Sequence, residues 1–204
     1  MDRRRFLAVG VALAATAAAA ALPAEMAVAS QEKIVPLPEP DRAGGKPLMA
    51  CLDARHTNRA ISGEELALPV LSNILWAAWG INRDNGRHVI PTARNRLQIT
   101  VYAVCRDGVW RYLPDQHAMR LVLEGDRRSD FDGSGLILLY AAPADDIFAG
   151  MHVGSMYQNV GLYCASANLA NCVKHQRHDV LDSELDLPSG WRTWICHSIG
   201  KPRA

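Results

Sequence analysis

The run from Leu136 to Ala142 places the strongest constraint on how this chain can fold. It reads Leu-Ile-Leu-Leu-Tyr-Ala-Ala and follows the chain breakers Gly133-Ser134-Gly135. A short, continuous apolar run after turn residues is typical of a strand that is covered on both faces. We therefore expect this segment to be a central strand of a sheet, with other elements packed above and below it.

Other segments carry strand signals of their own. Apolar and polar residues alternate from Leu97 to Cys105, with residues such as Thr100 on the polar side. Asp107-Gly108 is a hairpin signal, after which the chain returns through residues 109–112. A last strand is predicted from Trp191 to Gly200.

Helical patterns separate these strands. One helix should begin at Pro69, where a missing N–H costs nothing, and end at Gly80. Helical spacing predicts another helix over Gln116–Glu124, and Asp145 or Asp146 can cap a long helix that runs to about residue 171. The sum is an α+β fold with a mainly antiparallel sheet flanked by helices.

Residues 1–29 have the pattern of an export signal peptide. Arg3-Arg4-Arg5-Phe6-Leu7 precedes an alanine-rich apolar core, and Ala27-Val28-Ala29 offers a small-residue cleavage site. The arginine motif resembles the twin-arginine signal, which exports folded proteins. Ordinary secretory signals and membrane anchors share this basic-then-apolar order. We expect a periplasmic or secreted protein.

The rest of the chain divides into an arm and one domain. Four prolines and two glycines between Gln31 and Met49 predict an extended arm or linker over residues 30–50, either wrapped around a partner or disordered. Residues 51–204 then form a single domain. The net charge is +1 without blocks of like charge, so nothing indicates nucleic-acid binding.

Five scattered cysteines do not form a disulfide framework. Buried thiols and one or two bridges in an oxidising periplasm both remain open.

Two polar loops bracket the helix predicted over residues 69–80. On an extended segment Arg55, Thr57 and Arg59 would face the same way, and two guanidinium groups with a hydroxyl suit a phosphate. The loop Pro91-Thr92-Ala93-Arg94-Asn95 offers a hydroxyl and an amide, which can pair with a planar heterocycle. A solvated basic segment and a plain turn are the alternative interpretations.

These loops and three later motifs resemble the FMN-dependent nitroreductase family in kind and in order. The later motifs are Gly154–Asn159, Leu185–Trp191 and Ile199–Pro202, so the likeness extends from about Cys51 to Pro202. The resemblance implies the family's α+β fold and an obligate, domain-swapped-type homodimer with two FMN sites at the subunit interface.

The resemblance assigns flavin contacts to six residues, position by position, and two C-terminal cations could substitute for a basic residue of the family. These are Arg55, His56, Thr57, Arg59, Thr92, Asn95, Lys201 and Arg203. The first four would hold the phosphate and the pyrimidine edge, and Arg59 would tune the reduction potential of the ring. The last two could contact the phosphate or belong to an ordinary charged tail.

The resemblance also implies a ping-pong reaction without an obligatory catalytic side chain. A donor would reduce FMN, and flavin N5 would pass the hydride to a nitroaromatic or quinone. NAD(P)H is not a periplasmic pool, so a redox protein or membrane quinol are alternative donors. Peptide-azoline dehydrogenases of this fold instead oxidise their substrates.

The segment from Asn171 to Asp179 departs from the family pattern, and so does His152, where an aspartate is common. The family usually has a glycine-rich loop beside the flavin ring. Here we expect the basic residues of 174–178 to form a rim. A non-catalytic flavin-binding or structural dimer is therefore the alternative to an enzyme.

Cys172, His175 and His178 have the side chains of metal ligands. No second pair occurs at a standard spacing, so we predict no metal. A metal-binding accessory protein remains a third hypothesis.

Overall fold

A seven-stranded antiparallel sheet organises residues 32–203, the part of the chain described by the computed structural model. The predicted export signal lies outside these residues. The strands are β1 (Ile34–Pro36), β2 (Thr100–Cys105), β3 (Gly108–Leu113), β4 (Ala118–Glu124), β5 (Leu136–Pro143), β6 (Ala170–Lys174) and β7 (Trp191–Gly200). Their spatial order is β1-β4-β3-β2-β5-β7-β6. The helices are α1 (Leu48–Ala54), α2 (Leu68–Trp79) and α3 (Ala149–Ser166). The predicted α+β class is confirmed.

The central strand predicted from the apolar run is confirmed as β5. All eight of its residues are buried, and it pairs with β2 on one side and β7 on the other. Helices α2 and α3 pack on one face of the sheet, with Ile74 and Met156 fully buried in that core. Burial of both faces explains why β5 has no alternating polar residue.

The other face of the sheet is covered by the segment between β6 and β7. Leu181 and Leu185 of that segment pack with Tyr102 and Val104 of β2. The sequence pattern was wrong about a polar side of β2, since Thr100 is only 5% exposed and Tyr102 is fully buried. Alternation in sequence does not show that an irregular segment elsewhere in the chain will cover the second face.

The helix predicted over Gln116–Glu124 is wrong. Residues Ala118–Glu124 form β4, which pairs with β3 and, at the sheet edge, with β1. A short segment with apolar residues at several spacings fits either period. Hydrogen bonding to a strand on each side then favours the strand over the helix.

The two other predicted helices begin close to where the sequence indicated. Helix α2 spans Leu68–Trp79 and has a proline in its first turn, as predicted. Helix α3 ends at Ser166 rather than near residue 171. Asn168 adopts a left-handed conformation with φ of 55°, and the following residues pair with β7 as strand β6. Pairing along the sheet therefore shortens the predicted helix.

The segment predicted as an extended arm packs against β4 and α2 of its own chain. Strand β1 pairs with β4, and farther along the Ser72 hydroxyl of α2 donates to the carbonyl of Pro38 at 2.5 Å. The Asp41 amide donates to Oδ1 of Asn73, also on α2, at 2.8 Å. These contacts hold the segment along one edge of the sheet and beside α2.

All five cysteines are free thiols, and four of them are buried. Burial raises the pKa of Cys105 and Cys164 to about 12, so neither thiol ionises near neutral pH. Within residues 32–203, no helix has the length and apolar character needed to cross a membrane.

Candidate functional site

The structure brings the predicted loop 55–59 together with the end of the chain. The Ser62 amide donates to the Lys201 carbonyl at 2.8 Å, and the Arg203 amide donates to the Ala60 carbonyl at 2.8 Å. The Asn58 amide donates to the Asn171 carbonyl at 3.0 Å, which fixes the same segment to β6. Six of the eight predicted residues thus lie near one another, although they come from the two ends of the domain.

The cations of this group differ in their surroundings. Arg55 is half-buried beside α3, and a Cβ on Gly161 would lie 3.7 Å from its Cγ and Cδ atoms. Arg59 and Arg203 are exposed, and in the described chain no carboxylate pairs with any of these three guanidinium groups. Lys201 differs, because its Nζ atom contacts Glu64 Oε2 at 2.6 Å. Three unpaired guanidinium groups favour an anionic ligand.

A cavity of about 190 Å³ lies beside this group, and we call it the asparagine cavity. Its polar lining includes Lys46, His56, Asn58, Asn168 and Asn171. His56 and Asn58 line it, as alternate residues of an extended segment do, whereas Arg55, Thr57 and Arg59 do not. The segment 55–59 therefore presents different side chains on its two sides.

The second predicted loop, residues 91–95, contacts α3 at a different place from Arg55. The Ala93 amide donates to His152 Nε2 at 2.8 Å, and the next residues, Arg94 and Asn95, have left-handed φ values of 54° and 53°. Burial lowers the pKa of His152, which suits its role as a neutral acceptor. Thr92 and Asn95 line a separate cavity of about 250 Å³ that also includes two arginines.

The two predicted loops do not meet in one cavity of a single chain. His152 and Gly161 are nine residues apart on α3. At 1.5 Å per residue, this spacing is about 13 Å along the helix axis. Thr92 and Asn95 are therefore placed away from Arg55 and its neighbours.

The basic residues expected to form a rim over residues 174–178 differ in their surroundings, since His175 and Arg177 are exposed and the others are not. Lys174 forms an ion pair with Asp132, and the Arg177 guanidinium donates to the Asp130 carbonyl. His178 is only 8% exposed. The sequence did not show the contacts of Lys174 and Arg177, because their partners lie more than 40 residues away in the chain.

Two of the three candidate metal ligands, Cys172 and His178, make contacts with backbone carbonyls. Among residues 32–203, no group of three His, Cys, Asp or Glu residues is arranged to hold a metal ion. Cys172 Sγ lies 3.7 Å from the Val173 carbonyl, and His178 Nδ1 contacts the carbonyl of His175.

Sequence reasoning missed a buried hydrogen-bond chain behind the asparagine cavity. The Tyr140 hydroxyl contacts His197 Nδ1 at 3.1 Å, and His197 Nε2 contacts Asn171 Oδ1 at 3.1 Å. Tyr140 and His197 are fully buried on neighbouring strands. The sequence placed no partner near His197, because the three residues come from three different strands.

Comparison with known proteins agrees with this architecture. The structure superimposes with a TM-score of 0.77 on a crystal structure of a provisionally assigned nitroreductase from Ralstonia eutropha JMP134. The two are 31% identical, over 87% of this chain and 93% of that one. No protein-family profile matches the chain.

One further relative and one further solved structure resemble the chain more distantly. A provisionally assigned nitroreductase of Methanocaldococcus jannaschii is 25% identical over 141 residues, which are 56% of this chain and 71% of that protein. A Bacteroides fragilis nitroreductase with bound FMN shares the fold, with a TM-score of 0.55 and 16% identity over 78% of this chain and 89% of that one. The fold is that of the nitroreductase-like oxidoreductases. The chain belongs to the nitroreductase family, as its ordered motifs predicted.

Proposed function

We propose that this protein is an exported FMN-dependent oxidoreductase that acts on small organic molecules. The observation that carries the proposal is the grouping of Arg55, Thr57, Arg59 and Arg203 in a nitroreductase-family chain. Bound FMN would supply hydride transfer between an electron donor and an acceptor such as a quinone or nitroaromatic.

The chemistry of the grouped side chains fits FMN. Arg55, Arg59 and Arg203 offer guanidinium groups without carboxylate partners in the described chain, and the exposed Thr57 offers a hydroxyl. A flavin phosphate would be held by these donors. Arg59, at the outer end of the segment, would place positive charge near the pyrimidine edge. Arg55, steadied against Gly161, would orient the ligand rather than take part in the chemistry.

A second copy of the chain would complete the site. Thr92 and Asn95 line a cavity that does not include Arg55, and in this proposal the second copy brings its loop 91–95 or its segment 55–59 to the flavin of the first. Exposed apolar side chains support this homodimer, since Met49 of α1 is 74% exposed and Met151 of α3 is 65% exposed. Large exposed apolar residues clustered on helices are typical of covered interfaces.

The basic segment after β6 favours an enzyme over a non-catalytic flavin-binding dimer. A basic rim beside the ring was the reason for considering the second function. Lys174 and Arg177 instead bond to their own domain, which leaves fewer cations to block access.

Anaerobic mixing of the flavin-loaded protein with NADH or a quinol, followed by a quinone or nitrofurazone, tests this choice. We expect flavin bleaching with at least one donor and recovery with the acceptor. Flavin that binds but is not reduced by any of these donors would favour the non-catalytic dimer.

Export is tested separately from flavin chemistry. The basic and apolar pattern of residues 1–29 supports a twin-arginine route. The full chain and an Arg4→Lys/Arg5→Lys variant are expressed in cells with and without the twin-arginine translocase. We expect periplasmic protein only for the unchanged signal in translocase-positive cells. Periplasmic protein in cells without the translocase would contradict this route.

A further inference from the structure

The asparagine cavity presents an unusual set of unused hydrogen-bond donors. Asn58, Asn168 and Asn171 all line it, and the side-chain carbonyl of each already accepts a hydrogen bond. The Asn58 carbonyl accepts from the Ala60 amide at 2.9 Å, and the Asn168 carbonyl accepts from Lys46 Nζ at 2.6 Å. The Asn171 carbonyl accepts from His197 Nε2 at 3.1 Å. With each carbonyl occupied, the N–H groups of the three amides remain to serve a ligand.

The orientation of Asn171 follows from the buried chain behind it. The Tyr140 hydroxyl is fully buried, and its hydrogen-bond partner in the described chain is His197 Nδ1. A buried hydroxyl must donate its proton, so Nδ1 accepts and Nε2 carries the ring proton. Nε2 then donates to the Asn171 carbonyl, which turns the amide nitrogen the other way. Burial lowers the pKa of His197 to about 3, so the ring stays neutral and keeps this pattern.

Asn171 therefore offers an accessible amide nitrogen that has no partner among residues 32–203. It is only 7% exposed, it lines the asparagine cavity, and its Nδ2 atom makes no hydrogen bond to residues 32–203. A buried amide that leaves its N–H groups unused costs stability unless water or a ligand accepts from it. The cavity thus contains a rigid donor that the folded chain itself does not satisfy.

The remaining lining selects for negative charge. Lys46 brings an ammonium group to the cavity, and no Asp or Glu lines it. The end of α3 lies here, and free carbonyls at a helix C-terminus would repel an anion. Two of these carbonyls are already occupied, because Ala165 O accepts from Lys46 Nζ at 3.1 Å and Cys164 O accepts from the Leu169 amide at 2.8 Å.

The size of the cavity limits the ligand to a compact group. A volume of 190 Å³ corresponds to about six waters at roughly 30 Å³ each. Sites for whole cofactors usually exceed about 300 Å³. We propose that the asparagine cavity is a binding site for a phosphate-type oxyanion, held by the amides of Asn58, Asn168 and Asn171 and by Lys46. The ligand is a free oxyanion such as phosphate, because the phosphate of FMN is assigned to Arg55, Thr57, Arg59 and Arg203, and none of these residues lines the cavity.

This inference stands without the proposed redox function, and inorganic phosphate is the probe that tests it. Phosphate is titrated into the flavin-free full chain, and binding is followed by calorimetry and by the asparagine side-chain amide resonances in NMR spectra. We expect saturable binding in which the amide resonances of Asn58, Asn168 and Asn171 shift together. Absence of saturable binding, or shifts confined to other residues, would overturn the proposal.

Variants separate the cavity from general surface charge. Asn171→Asp, Asn168→Asp and Lys46→Met each remove a donor or a charge, and each should weaken phosphate binding by roughly tenfold or more. Asn168 and Lys46 are exposed, so these two variants remain informative if Asn171→Asp does not fold. Asn85→Asp makes the same charge change in an exposed turn outside the cavity and should leave binding unchanged. Equal binding by all four variants would contradict the assignment.

Flavin ligands then separate the asparagine cavity from the proposed flavin site. Competition of phosphate with FMN but not with riboflavin would place the FMN phosphate in the cavity and would overturn the assignment of a free oxyanion to it. If the ligand is a free oxyanion, phosphate should bind equally to the flavin-free and FMN-loaded protein. A protein that binds phosphate in neither state would overturn the site even if it binds FMN, whereas phosphate binding without FMN binding would overturn only the redox proposal.

Discussion

His197 shows how one buried side chain can order a site at a distance. It is fully buried between Tyr140 and Asn171 and reaches the asparagine cavity only through the Asn171 amide. Burial disfavours the charged imidazolium and lowers the pKa from an ordinary value of 6.5 to about 3. The neutral state of His197 therefore contributes to the stability of the fold and also sets the orientation of Asn171 at the cavity.

We expect the stability of the protein to depend on the protonation of His197. The unfolded chain takes up this proton below about pH 6.5, whereas the folded chain resists it until about pH 3. The free energy of unfolding should therefore fall as the pH is lowered through this window, by up to about 1.4 kcal/mol per pH unit from this residue. Urea unfolding of the protein and of His197→Gln between pH 7 and pH 4 measures the difference.

The exposed His56 supplies the control for this experiment. His197→Gln should be less stable at pH 7, and its deficit should shrink as the pH falls. His56→Gln should follow the unchanged protein across the range, because His56 is exposed. A constant deficit for His197→Gln at every pH would contradict a neutral, buried His197.

Among the carboxylates that hold the segment between β6 and β7, Asp186 makes bonds to three strand residues. Asp186 accepts from the Tyr102 hydroxyl at 2.8 Å and from Arg111 at 3.1 Å, and it also pairs with Arg120. Burial and this hydrogen bond raise the pKa of Tyr102, so the hydroxyl remains a donor. With Leu181 beneath it, the segment acts as a cover for the second face of the sheet.

Replacement of this carboxylate should loosen the cover. Asp186→Asn keeps the shape but removes the charge that two arginines share, and we expect a loss of about 1–2 kcal/mol in the free energy of unfolding. The site is about one third exposed, which keeps the expected loss at the low end of values for buried pairs. Chemical denaturation provides the measurement, and Asp179→Asn, at a more exposed carboxylate, is the control. Equal stability of the two variants would contradict the role given to Asp186.

Helix α3 carries the open surface that the proposed homodimer would cover. A Cβ on Gly154 would meet only the Tyr157 side chain of the same helix, at 3.7 Å or more. In an isolated chain, replacing a helical glycine with a larger residue stabilises the helix by roughly 0.5–1 kcal/mol. A glycine retained at an open position is consistent with close approach of another subunit.

Gly154→Leu should therefore weaken association of the subunits. A bulky side chain in a close-packed interface costs about 1–3 kcal/mol, which corresponds to about fivefold to 150-fold in the dimer dissociation constant. Analytical ultracentrifugation of this variant and of Glu124→Leu, at an exposed end of β4, tests the expectation. Unchanged association with a more stable helix would show that this face is not an interface.

Across the whole molecule, the local sequence pattern predicted an element correctly wherever its signal was strong. The apolar run of β5, the proline and glycine around α2 and the final strand were all predicted close to their observed bounds. Long-range pairing decided the elements that were missed. Residues 118–124 became a strand between β1 and β3, and residues 170–174 left the predicted helix to pair with β7.

The candidate site was predictable only where its residues are neighbours in sequence. Arg55, Thr57 and Arg59 form a local motif, and the order of motifs linked them to the end of the chain. The asparagine cavity has no such signal, because its donors come from the loop after α1, the end of α3 and strand β6. The partner of His197 was likewise visible only after strands β5, β6 and β7 had been aligned.

Flavin binding by the purified full-length protein tests the central claim most directly. FMN is titrated against the protein, with its visible absorption and fluorescence followed, for the unchanged chain and for Arg55→Met and Arg106→Met. We predict one FMN per chain, about tenfold or greater weakening in Arg55→Met, and no change in Arg106→Met, whose guanidinium pairs with Glu65. A protein that binds no FMN, or two variants with the same affinity, would contradict the account.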